Sequence, residues 1–91
     1  MTEKLNWLVV VDARSEVGKL VMNGDFAGTL LAGDLQHPYI ACEELSFDTP
    51  GWLRGRRVGA DHVEYIPAHV VVGIAEIKVG ATTLPFGFSQ R

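Results

Sequence analysis

The sequence predicts a mainly β domain, a small antiparallel barrel or sandwich with little helix. Three observations lead there. Short apolar runs rich in β-branched residues recur along the chain, and such residues favour pleated strands over helix. Turn signals separate the runs: Asn23-Gly24, Asp48-Thr49-Pro50-Gly51 and Pro67-Ala68. Ten Gly and four Pro in 91 residues imply many tight turns and short elements.

Taken in order, Leu5 to Ala13 carries three consecutive valines, which favour a strand. A short helix would instead place Leu5, Leu8 and Val9 on one face, so this segment is an N-terminal strand or a short helix. Val17 to Met22 reads as a strand that turns at Asn23-Gly24, and Phe26 to Ala32 is its return. Gly28 within the return strand signals a bend, a bulge or a close backbone approach. Asp34 to Pro38 reads as a turn, and Tyr39 to Phe47 as an alternating strand. Trp52 to Arg57 is a loop or strand tip carrying Arg54, Arg56 and Arg57. Val58 to Ile66 and Val70 to Ile77 are further strands, separated at Pro67-Ala68. The tail from Gly80 reads as irregular, and its Phe86 and Phe88 suggest that it docks somewhere, a neighbouring copy being one candidate.

The length fits one domain, residues 1–91, with a modest core that sister copies could extend. A net charge of -3 argues against a chain that coats nucleic acid by bulk electrostatics, though a local basic patch is compatible with it. Cys42 is the single cysteine, so no internal disulfide forms, and a lone thiol fits a reducing, cytoplasmic setting. No apolar run approaches the ~20 residues a membrane helix needs.

One window narrows the fold. Lys19 to Asp34 presents Leu20, Met22, Asn23, Gly24, Phe26, Gly28, Leu30 and Asp34 at a spacing that resembles the first signature of the Sm-like (LSm/Hfq-type) family of small β-barrels. Glu64 to Ile77 is similar to its second signature. The resemblance covers residues 17–77, leaving 1–16 as an N-terminal segment and 78–91 as a tail. It implies a strongly bent antiparallel five-stranded barrel, kinked at Gly28. It also implies a homo-oligomeric ring in which the last strand of one copy pairs with an exposed strand of the next. The Glu43–Gly59 stretch would be the loop between signatures.

The family's implied ligand is single-stranded RNA, held in pockets around the pore. The usual pocket residues are missing here: Pro38 stands nearest the expected asparagine, and the last turn reads Pro67-Ala68-His69. Gln36, His37, Tyr39 and His69 are the candidates for a different pocket, since Tyr and His stack on bases. Against this, the plainer reading makes Tyr39 a strand residue and His37 a solvated turn residue. Arg54, Arg56 and Arg57 beside Trp52 offer guanidinium groups for phosphate and an indole for stacking. The plainer reading is a solvated loop tip. The alternative function is a structural scaffold that binds no nucleic acid.

No enzyme is expected. His62, His69 and Cys42 lack metal-ligand spacing, and no cofactor is implied. Glu43 and Glu44 are adjacent, and strand alternation would send them to opposite faces.

Overall fold

The computed structural model describes residues 5–78. The chain runs β1 (Leu5–Val11), α1 (Glu16–Asn23), β2 (Gly28–Ala32), β3 (Leu35–Ser46), β4 (Trp52–Arg57), β5 (Glu64–Pro67), a 3-10 turn (Ala68–Val70) and β6 (Val71–Lys78). The strands form one antiparallel sheet in the order β5-β4-β3-β1-β6, with β2 paired to β3 beside this path. No pairing joins β5 to β6, so the sheet is open among the described residues.

The N-terminal apolar run is a strand, and it lies within the sheet rather than at its margin. β1 pairs with β3 through Trp7–Val10 and with β6 along its length. Leu8, Val9, Val10 and Val11 are all buried. A strand covered on both faces reads as a continuous apolar run rather than an alternation. Burying each such side chain is worth about 1.5–3 kcal/mol. Val9 and Val11 join Val21, Ile40, Cys42, Leu53, Ile66 and Val70 in the larger core. Leu8 and Val10 pack with Tyr39 in a smaller one, flanked by Leu30, Ala41, Ala75 and Ile77.

The segment expected to be the first barrel strand is helical. Ser15 has extended backbone and its hydroxyl accepts from the Gly18 N–H at 2.9 Å, an N-cap that starts α1. Glu16 adds an acidic group to the first turn, where the helix dipole favours it. Val17 and Val21, four apart, turn toward the larger core. Gly18 is buried where a Cβ would collide with the Asp12 carbonyl, so α1 sits tightly on the turn leaving β1.

Asn23-Gly24 is therefore not a hairpin turn. Gly24 has φ -113 and ψ -150, extended backbone that caps the helix. The hairpin turn lies ten residues on, in a two-residue connection between the paired Ala32 and Leu35. Gly33 takes φ 66 at its first position, the requirement of a II′ turn. The expected Asp34–Pro38 turn is accordingly mostly strand. Pro38 lies just beyond Tyr39, the last β3 residue paired with β1, so its missing N–H removes no rung there.

Gly28 is a close approach rather than a mid-strand kink. It opens β2 directly opposite Tyr39, whose ring occupies the space a side chain would need. Most of Val58–Ile66 is connection, with Gly59 at φ 80, and only Glu64 onward is strand. The Glu43–Gly59 stretch contains the end of β3, a turn and all of β4. The break at Pro67-Ala68 is a 3-10 turn, and the last strand begins at Val71. The expected docking of Phe86 and Phe88 lies outside the described residues.

Candidate nucleic-acid interface

The predicted site residues fall into two groups at opposite ends of β3. Gln36, His37 and Tyr39 stand at its start; Trp52, Arg54, Arg56 and Arg57 line β4, which pairs with its end. At about 3.3 Å per residue, roughly 30 Å of strand separates Gln36 from Ser46. These residues do not form one pocket.

The first group is structural. His37 is 6% exposed, and its Nδ1 accepts the Ala13 N–H at 3.0 Å. That contact anchors the turn between β1 and α1, with the Asp12 carboxylate 3.8 Å away. Tyr39 is buried in the smaller core, and burial pushes its hydroxyl pKa above the ordinary value. Gln36 is exposed and its Oε1 accepts from Thr29 across the hairpin. Neither ring is free to stack on a base.

On β4 the side chains alternate. Leu53 is buried, and Arg57 lies on the same side at the rim of the core. Arg57 is ion-paired with Glu64: Nη2 donates to Oε1 at 3.2 Å, and Nε lies 2.6 Å from Oε2 without making a hydrogen bond. Its Nη1 donates to the Asp25 carbonyl. The guanidinium thus clamps the α1–β2 connection to β5. An open cleft of about 600 Å³ borders it, lined by Asp25, Val58, His62 and Glu64 among others.

Arg56 is committed as well. Its Nη1 meets Glu43 Oε1 at 2.6 Å and the Ala60 carbonyl at 2.9 Å, while Nη2 meets Glu44 Oε2 at 3.1 Å. Both glutamates reach one guanidinium because the β3–β4 register shifts between Cys42 and Glu44. A bulge there breaks the simple alternation that would have sent them apart. The hydrogen bond from Arg56 holds the Glu44 carboxyl below its ordinary pKa, and the two carboxylates raise that of Arg56.

Arg54 differs. It stands opposite Ser46 on one side and Tyr65 on the other, and it makes no hydrogen bond or ion pair among the described residues. Trp52, two residues away on the same side of β4, is 44% exposed, and Tyr65 is 52% exposed. Tyr65 was not a sequence candidate. The available signal was its place beside Ile66 in a short alternating strand, which turns one of the two outward. His69 is exposed on the 3-10 turn, after Ala68, whose N–H donates to the Gly51 carbonyl. It therefore lies at the Trp52 end of β4.

Cys42 is buried, and burial with the nearby Glu64 charge pushes its thiol up to about 11. No cluster of metal-ligating side chains occurs among the described residues. No helix among them is long and apolar enough to cross a membrane. No family model, no curated protein and no solved structure matches the chain.

Proposed function

We propose that this chain is a self-assembling β module of the Sm-like kind, whose copies join edge to edge. β5 of one copy would meet β6 of the next, and repetition would close a ring. The observation that carries this reading is the pair of open edges at the two ends of one sheet. β6 is eight residues long and paired only to β1 among the described residues. Val72 is 50% exposed and Ile74 39% exposed on it. An edge strand with unpaired peptide groups and exposed β-branched side chains is a template for another strand.

The five-strand path supports the ring geometry. Its terminal strands are consecutive in sequence and joined only by the three-residue 3-10 turn. The two edges differ from each other, so contact between them is head-to-tail, and such contacts close into rings when the rotation allows. The reading departs from the family pattern in placing α1 between β1 and β2.

Assembly is favoured over nucleic-acid binding as the primary role because Arg56 and Arg57 are neutralised by carboxylates. Light scattering on the full chain is expected to give a mass several times that of the protomer. Val72→Lys with Ile74→Lys is expected to yield a folded protomer of single mass, since lysine on an edge discourages pairing. A wild-type chain that stays monomeric at high concentration would remove the reading.

A further inference from the structure

We infer that Asn23 is a self-modification site: through a succinimide formed with Gly24 it converts to aspartate or isoaspartate, and the product loosens the end of α1. The Asn23-Gly24 pair is a turn signal that the fold leaves unused. No hairpin forms there, and Gly24 has φ -113, extended backbone open to other residues. The common need for glycine after a helix is a left-handed conformation, and Gly24 does not adopt one. A Cβ at Gly24 would meet only the Leu20 and Val21 carbonyls, at ordinary contact distances of 3.5 and 3.9 Å. Neither backbone nor packing requires glycine here. A bare Cα does, however, let the Gly24 nitrogen approach the preceding side chain closely.

The step balances with water alone. The Gly24 nitrogen loses its proton and bonds to Asn23 Cγ, the Cγ–Nδ2 bond breaks, and ammonia leaves. Water then opens the cyclic imide at either carbonyl, giving aspartate or isoaspartate. Asn23 is the last residue of α1, it is exposed, and its side chain makes no hydrogen bond among the described residues. One backbone bond restrains the nucleophile: the Gly24 N–H donates to the Val21 carbonyl at 3.1 Å. Opening this last turn frees the nitrogen and leaves the sheet intact. Asn6 is the internal control, since it lies within β1 opposite Ile77, buries its Oδ1 and precedes Trp7.

The product acts on the helix in two ways. A carboxylate at residue 23 meets the negative end of the helix dipole, and no basic residue stands in the last turn to offset it. Isoaspartate also lengthens the backbone by one carbon just before Asp25, whose carbonyl is held by Arg57 Nη1. The change therefore pulls on the clamp that joins the α1–β2 connection to β5.

The test is peptide mapping by mass spectrometry on the full chain, kept warm at mildly alkaline pH in water enriched in heavy oxygen. The Asn23 peptide should exchange its amide for an acid carrying one solvent oxygen, while the Asn6 peptide stays unchanged. Gly24→Ala, which fits the fold, should slow the conversion severalfold, and Ser15→Ala, which weakens the helix cap, should speed it. Asn23→Asp should lower the urea midpoint at low salt and approach wild type as salt screens the dipole. The aged chain should show faster hydrogen exchange over α1. An Asn23 that stays intact in the folded chain yet converts in urea overturns the inference, as does a Gly24→Ala rate equal to that of wild type. Unchanged exchange over α1 in the converted chain overturns the loosening.

Discussion

Gly28 and Tyr39 face each other across the β2–β3 ladder, and a Cβ at Gly28 would stand 2.6 Å from the Tyr39 hydroxyl and 2.8 Å from its Cζ. Tyr39 is buried and cannot swing aside without disturbing the smaller core. Gly28→Ala should therefore destabilise by about 1–3 kcal/mol through overpacking. Tyr39→Leu removes the obstruction, so in urea unfolding the double variant should lose less than the sum of the singles. Additive losses would show that the ring does not fill this space.

The helix that replaces the expected first hairpin rests on its cap. Ser15→Ala leaves the Gly18 N–H without its hydroxyl partner and should cost about 1 kcal/mol. Gly18→Ala should cost more, since the added Cβ meets the Asp12 carbonyl, a backbone atom that cannot rotate away. Urea midpoints for the two variants check the order.

His37→Leu keeps the bulk at a buried position but leaves the Ala13 N–H without its acceptor. An orphaned buried donor costs about 1–3 kcal/mol, and this part-buried one should lie at the low end of that range. The loss should appear in thermal melts as a lower midpoint, together with faster hydrogen exchange at Ala13.

Acid should weaken the fold through Glu44 and Asp12. The Glu44 carboxyl is held below its ordinary value of 4.5 by the Arg56 hydrogen bond. That of Asp12 is held below 3.8 by the Arg14 backbone N–H and side chain. A depressed folded-state pKa contributes stability above the unfolded value, lost as pH falls through the folded value. The urea midpoint should thus fall on acidification below about pH 4.5. Glu44→Gln should lie below wild type at neutral pH and converge on it in acid, and the gap should shrink with salt because the pair is exposed.

Most of β3, β6 and the break at Pro67 could be read from apolar runs, alternation and turn chemistry, whereas β4 read only as a loop or strand tip. The helix was masked by Asn23-Gly24, a strong hairpin signal that outweighed the Ser15 cap and the Val17–Val21 spacing. The arginine cluster was visible as a cluster, but its neutralisation was not. Glu64 arrives from a different strand, and Glu43 joins Glu44 only through a bulge that local sequence does not announce. His37 and Tyr39 looked available because much of their burial comes from β1 and the turn after it, distant in sequence.

Hydrogen–deuterium exchange across Val71–Lys78, followed against protein concentration, tests the edge-to-edge account most directly. The account predicts that amides on the outer side of β6 become protected as concentration rises, together with those of Glu64–Pro67. Exchange in both strands that is the same at every concentration would contradict it.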